Sequence, residues 1–144
     1  TGAGNPKKYW KKERWQALID SITSGLGYKV LAYDPVYGDL NGCIKIDSLI
    51  SFNVFAAALK RARLFIGLDS LPAHLAASFG IPAVVVWCGI NDPVKWRPVG
   101  TRVAIVKKDL PCSPCSLKNG CANMGCMDIG AGECFEQVKG LLRF

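Results

Sequence analysis

Residues 64–87, LFIGLDSLPAHLAASFGIPAVVVW, set an Asp-Ser pair, a proline and the only histidine of the chain between two apolar runs. LFIGL reads as a buried strand. Pro72 to Phe79 reads as a short helix that Gly80 closes, and PAVVVW, 82–87, is a continuous apolar strand of the kind buried on both faces of a parallel sheet. The polar residues therefore fall at the tip of a strand, where a helix begins. At such a start the first backbone N–H groups lack partners inside the helix and together carry about half a positive charge, which suits a phosphate.

Working outward, the apolar residues Trp10, Trp15, Leu18, Ile19 and Ile22 recur at helical spacing from Trp10 to about Ser24, and Gly25 and Gly27 stop the pattern. YKVLAYD, 28–34, predicts a strand ending at Pro35, followed by the loop PVYGDLNG and a short strand CIKI. Ser51 can cap a helix through FNVFAAALKRA; RVAIV, 102–106, predicts a further strand, and ECFEQVKGLLRF a C-terminal helix. Strands alternating with helices at this spacing predict an α/β domain with a Rossmann-like, doubly wound parallel sheet. In such sheets ligands sit beyond the carboxyl ends of the strands. Three loops then share one rim: the one after YKVLAYD, Asp69 to His74, and Cys88 to Asp92.

A chain of 144 residues, half of them hydrophobic and a fifth charged, fits one domain with its own core. No apolar run approaches the ~20 residues that cross a bilayer as a helix. Thr1 rather than Met at the start reads as a cut from a longer chain, with an N-terminal partner domain expected. The formal net charge of +7 favours anionic partners. It clusters in Lys7, Lys8, Lys11, Lys12 and Arg14 and again in Lys60, Arg61 and Arg63, where solvated helix faces are the default reading. Aromatic residues fall at core positions, so stacking platforms for single-stranded nucleic acid are not evident. No G-x-G-x-x-G follows a strand, which argues against a nicotinamide dehydrogenase.

Within the turn, Ser70 can donate its hydroxyl to an anion or cap the helix. Pro72 removes one N–H and sets φ for the first turn. Asp69 cannot help an anion directly, so it orders the loop or accepts a ribose or sugar hydroxyl. His74 can donate to a phosphate oxygen; the alternative is a core histidine bonded to a backbone carbonyl.

FIGLDSLPAHLAASFGIPAVVVWCGINDPVKWRPVG resembles the strongest signature of the family 9 glycosyltransferases, the ADP-heptose:lipopolysaccharide heptosyltransferases: a strand, Gly-x-Asp-Ser/Thr-Gly-Pro-x-His-Leu-Ala-Ala, a second strand, Phe-Gly-x-Thr and Trp-x-Pro. The opening TGAGNPKKYWKKERWQAL is similar to the family's Gly-Ala-rich loop with a Lys before a Trp and a helix. The resemblance implies the C-terminal, nucleotide-sugar-binding half of a GT-B enzyme. It implies that Gly2, Ala3, Gly4 and Lys8, with Asp69, Ser70, Leu71, Pro72 and His74, surround the diphosphate. Lys8 is then the cation, and Lys8 and Asp69 are the catalytic residues. Gly89 and Asn91 lie near the nucleotide or sugar, Asn91 standing where the family often has Thr. Leu71 replaces a common Gly, and PVYGDLNG replaces a Gly-rich, Glu-bearing segment that contacts the nucleoside. The implied donor is an ADP-sugar, ADP-heptose in the first instance, and the implied acceptor is lipopolysaccharide core or a protein. The missing N-terminal domain supplies the base, so this domain alone is expected to bind donor without efficient transfer. A cytoplasmic location follows, with basic residues in peripheral contact with the inner membrane.

Seven cysteines are many for this length, and four of them, Cys112, Cys115, Cys121 and Cys126, follow a C-x2-C-x5-C-x4-C pattern near the C-terminus. Such spacing can close on one zinc or iron ion as a structural knuckle. Reduced thiols, or disulfides in an oxidising compartment, are the competing reading. Cys134 is an alternative fourth ligand, while Cys43 and Cys88 read as small buried hydrophobes. CSPCSLKNGCANMGCMDI also resembles the cysteine-bearing segment of family members, some of which hold iron with a cysteine finger. A non-catalytic assembly or nucleic-acid-binding module, built on this knuckle and the basic helix, is the second functional reading.

Overall fold

A computed structural model describes residues 3–34, 36–47, 49–117 and 121–143. After a 3₁₀ turn at Pro6–Lys8, the elements run α1 (Lys12–Leu26), β1 (Leu31–Tyr33), β2 (Ile44–Ile46), α2 (Phe52–Lys60), β3 (Phe65–Leu68) and α3 (Leu71–Ser78). They continue with β4 (Ala83–Trp87), α4 (Pro93–Trp96), β5 (Val103–Lys107), a second 3₁₀ turn at Gly125–Met127 and α5 (Ala131–Leu142). Every strand pairing is parallel. β1 pairs with β2, placing Leu31 opposite Ile44, and β4 lies between β3 and β5, placing Val86 beside both Leu68 and Val106. The expected α/β class and parallel direction hold, with the hydrogen-bonded ladders forming a pair and a triple among the described residues.

β4 explains the unbroken apolar run. Val84 and Val86 join the core beneath α1 and α5, with Trp10, Leu18, Val106 and Val138. Ala83, Val85 and Trp87 point the other way, packing with Ala73 of α3 and against Phe65, Val103 and Ile105. All five residues of β4 are buried, so the strand needs apolar side chains on both faces. Each fully buried valine contributes roughly 1.5–3 kcal/mol relative to an exposed one. Leu59, Ala76 and Ile81 tie α2 to α3.

Several boundaries differ from expectation, two of them with consequences for packing. The first helix begins at Lys12, two residues after Trp10, whose burial comes from an extended approach to the helix. Its indole donates to the Ile129 carbonyl at 2.9 Å and meets Trp15 edge to face at 4.9 Å. The first strand is confined to residues 31–33, because Tyr28 and Lys29 precede its pairing with β2. Helix ends follow local chemistry: Ser51 Oγ accepts from the Val54 amide, Glu133 accepts from the Gly130 amide, and Gly27 and Gly80 adopt positive φ just past α1 and α3. Among the described residues no helix is long and apolar enough to cross a membrane.

Candidate functional site

Just past the tip of β3 lies the buried charged side chain found among the described residues. Asp69 is 8% exposed, and its Oδ2 accepts from Lys8 Nζ at 2.6 Å and from Asn91 Nδ2 at 2.7 Å. Three segments far apart in the chain thus meet on one oxygen. Each is positioned locally. Lys8 ends a 3₁₀ turn that Asn5 starts, its side chain accepting from Lys7 N. Asn91 follows β4, and its carbonyl accepts the Trp87 indole N–H at 2.9 Å. Asp92 then caps α4 through Val94 N. The Lys8 and Asp69 side chains are 14% and 6% exposed, so the pair is largely desolvated and breaking it from one side leaves a costly charge.

The turn around Asp69 differs in detail from the expectation. Ser70 is the residue before α3, but its hydroxyl turns back to the Leu68 carbonyl at 3.3 Å and caps nothing. The start of α3 therefore has no side-chain cap from Ser70, although the Ala73 amide is taken by the Ser70 carbonyl at 3.0 Å. Pro72 occupies the first turn and Leu71 is exposed. His74 is exposed, which removes the core-histidine alternative and leaves it available at the surface. Ala3 packs against the main core, Gly4 is open to solvent, and Gly2 lies outside the described residues.

Gly89 is closely approached by the cysteine-rich segment. A Cβ there would lie 2.2 Å from Ser113 Oγ and 2.9 Å from Cys126 Cβ. The Gly89 and Ile90 carbonyls accept from the amides of Cys115 and Ser116, both at 3.0 Å. The cysteine-rich segment therefore braces the loop that carries Asn91. Cys112, Cys115, Cys121 and Cys126 all line one cavity of about 70 Å³ beside Gly89 and Ile90. The donor set fits a soft ion, and the Met124 amide donates to the Cys121 sulfur at 3.3 Å, as a ligating thiolate needs. Yet among the described residues no three Cys, His, Asp or Glu are gathered around one point. Residues 118–120, between Cys115 and Cys121, lie outside the described set. Cys126 is buried with its sulfur 3.8 Å from that of Cys88, whose thiol is pushed up to about 12, chiefly by burial. Cys134 is sealed in the core on α5, also pushed up to about 12 by burial, and does not line this cavity. Cys43 is half-buried rather than buried.

The loop after β1 completes the rim. The Asp34 carboxylate accepts from the amides of Val36, Tyr37 and Gly38, and Tyr37 donates its hydroxyl to the Trp10 carbonyl at 2.6 Å. Burial raises the Tyr37 phenol above its ordinary value. The basic run is less free than its composition suggests. Lys12 pairs with Asp39, and Arg14 donates to the Met127 and Ile129 carbonyls and pairs with Asp128. A larger depression of about 440 Å³, lined by Thr23, Tyr28, Lys29 and Ile44 among others, opens at the amino ends of β1 and β2. Among the described residues no buried charged group converges there, in contrast to Asp69 at the carboxyl ends of the strands.

The class the fold defines is a parallel α/β domain, with a Lys8–Asp69–Asn91 cluster at a helix start on the carboxyl rim of its strands. Residues 40–125, more than half of the chain, match the profile of glycosyltransferase family 9 (heptosyltransferase), and the chain belongs to that family. It is 33% identical over 104 residues to lipopolysaccharide heptosyltransferase 3 of Escherichia coli, covering 63% of this chain and 30% of that protein. A family 9 glycosyltransferase from Veillonella parvula superposes with a TM-score of 0.79 at 24% identity, covering 99% of this chain and 44% of the other. The dodecameric iron-containing heptosyltransferase TibC of E. coli, solved with ADP-D-β-D-heptose, gives 0.79 at 23% identity with the same coverage. At these identities the two solved structures establish the fold. The chain spans less than half the length of the relatives it matches.

Proposed function

We propose that the rim binds the diphosphate of a nucleotide sugar and that this chain is the donor-binding part of a glycosyltransferase. The observation that carries the reading is the meeting of Lys8 and Asn91 on Asp69 where α3 begins. Asp69 holds the ammonium of Lys8 at a fixed place beside the α3 amides. As a glycosidic bond to the diphosphate breaks, negative charge grows on the leaving phosphate. A pre-positioned cation and helix start stabilise that charge without reorganising. Lys8 gives one of its N–H groups to Asp69, and the others remain for the phosphate. Asp69 Oδ1, without a hydrogen bond among the described residues, can accept a sugar or ribose hydroxyl. Asn91 is the positioning residue in this account, and Lys8 and Asp69, which both meet the donor, are the catalytic ones.

ADP-heptose is the donor that the relatives support, and lipopolysaccharide core the acceptor, with a protein acceptor as the variant. An N-terminal half supplies the acceptor site and the base that deprotonates the incoming hydroxyl. The enzyme acts in the cytoplasm. Cys112, Cys115, Cys121 and Cys126 are the residues that would hold zinc or iron. A bound ion would cross-link the segment as a structural knuckle. The shared cavity and the iron reported for TibC support this. Internal pairing of Lys12 and Arg14 counts against a continuous basic stripe for nucleic acid.

Calorimetric titration with ADP, UDP and GDP tests the donor reading. Selective ADP binding, lost in Lys8→Ala, is expected; equal binding of all three, or an unaffected variant, overturns it.

A further inference from the structure

Two of the seven cysteines face each other in the interior. The sulfur of Cys88, the residue after β4, lies 3.8 Å from that of Cys126 in the second 3₁₀ turn. Both are free thiols, and both are buried. The sulfurs of a disulfide stand about 2.05 Å apart, so a bond between them takes about 1.8 Å of approach across 38 residues of sequence. Cys126 also lines the cavity of about 70 Å³ that exposed Cys112 and Cys121 share. At about 30 Å³ for each water-sized unit, that space admits a small peroxide.

We infer that Cys88 and Cys126 form a reversible disulfide site whose oxidant is a small hydroperoxide. The Cys126 sulfur, on the cavity, takes one peroxide oxygen and becomes a sulfenic acid, releasing water from hydrogen peroxide or an alcohol from an alkyl peroxide. The Cys88 sulfur then displaces that oxygen as a water molecule. Two S–H bonds give way to one S–S bond, and the two electrons released reduce the O–O bond. Cys88 needs no route to solvent, because its partner carries the electrophilic sulfur to it. In a reducing compartment such a bond is transient, since cellular thiols reverse it.

Closure reaches the rim. Cys126 Cβ already lies 2.9 Å from where a Gly89 Cβ would stand, and Arg14 clamps the turn through the Met127 carbonyl. The approach is therefore passed to the loop from Gly89 to Asn91. The Asn91 amide touches Asp69 at 2.7 Å, and displacement of that loop weakens the contact. The oxidised chain should bind ADP severalfold more weakly than the reduced one. That effect rests on donor binding at the rim; the bond itself does not.

The test takes the chain reduced and stripped of metal by chelation, adds a small excess of hydrogen peroxide, blocks the remaining thiols by alkylation and maps cross-links by mass spectrometry. The expected result is one dominant bond between the Cys88 and Cys126 peptides, reversed by dithiothreitol. It should form equally in a variant combining Cys112→Ser, Cys115→Ser and Cys121→Ser, which keeps the pair and removes the other thiols of the cavity. Cys88→Ala should abolish it, with circular dichroism checking the fold. Absence of the bond from the folded parent, its loss in the triple variant, or a dominant bond among Cys112, Cys115 and Cys121 overturns the inference. A mapped bond with unchanged ADP affinity supports the site and overturns its link to the rim. A mapped bond in a chain that binds no ADP in either form supports the site and counts against the donor reading alone.

Discussion

Replacing Lys8 by Met strips the cation from an aspartate that is 8% exposed and keeps only the Asn91 amide on its Oδ2. Breaking a buried pair from one side costs about 3–5 kcal/mol. The lower end applies, since the Lys8 side chain keeps 14% exposure and water can reach the vacated space. Asp69→Asn preserves shape and one acceptor oxygen but leaves Lys8 beside a neutral group, a loss of about 1–3 kcal/mol. In the double variant neither charge is stranded, so its cost should fall below the sum of the singles by about 1–3 kcal/mol. Urea unfolding of the four proteins yields this coupling, provided their m-values agree. ADP titration separates structure from binding: the double variant should recover stability without recovering affinity, because the cation is still absent. A coupling near zero would refute the buried pair. Full ADP affinity in the double variant would refute the role of Lys8.

Gly89→Ala should destabilise the fold by about 1–3 kcal/mol, since its Cβ would meet Ser113 Oγ and Cys126 Cβ; Ser113→Ala in the same chain should return only part of the melting temperature, because Cys126 remains at 2.9 Å. Asp128 is held down to about 2 by the side chains of Arg14 and Lys108. Its folded value lies below the ordinary 3.8, so its contribution is present above pH 4 and disappears as pH falls toward 2; Asp128→Asn should flatten the acid limb of stability across that window. Thiol titration of the metal-free protein, after chelation, should show exposed Cys112 and Cys121 reacting promptly and buried Cys88 and Cys134 reacting only on unfolding; prompt reaction of Cys88 would contradict its burial.

Some of this architecture is legible in the sequence, for identifiable reasons. A strand buried on both faces must be apolar throughout, so PAVVVW declares β4, and Pro72 and Gly80 mark the two ends of α3. Where the signal is ambiguous the reading overshoots. Trp10 has helical spacing with Trp15 yet packs from extended chain, since burial alone creates the same periodicity. The four-residue α4 has too few turns to show any period. Within the site, Lys8 and Asp69 can be named from their motifs. That Asn91 shares Asp69 with Lys8 cannot, because contacts spanning 22 and 61 residues leave no local trace. Ser70 illustrates the opposite limit: a residue type that favours capping sits at the right place and bonds backward instead. Arg14 reads as one of a solvated run, and only the fold brings it to Met127 and Ile129.

The cysteine-rich segment and the rim form one mechanical unit. The amides of Cys115 and Ser116 hold the carbonyls of Gly89 and Ile90, the next residue is Asn91, and Asn91 holds Asp69, which holds Lys8. Each link is a hydrogen bond of 3.0 Å or less, and Gly89 lets Ser113 approach the loop at the one point where a side chain would intervene. Arg14 anchors the far side of the same segment to α1 through the carbonyls at Met127 and Ile129. A structural ion on the cysteines would therefore stiffen the support beneath Asn91 without touching the ligand. By this argument, loss of such an ion should lower donor affinity through the position of Asp69 and Lys8 while leaving the sheet intact.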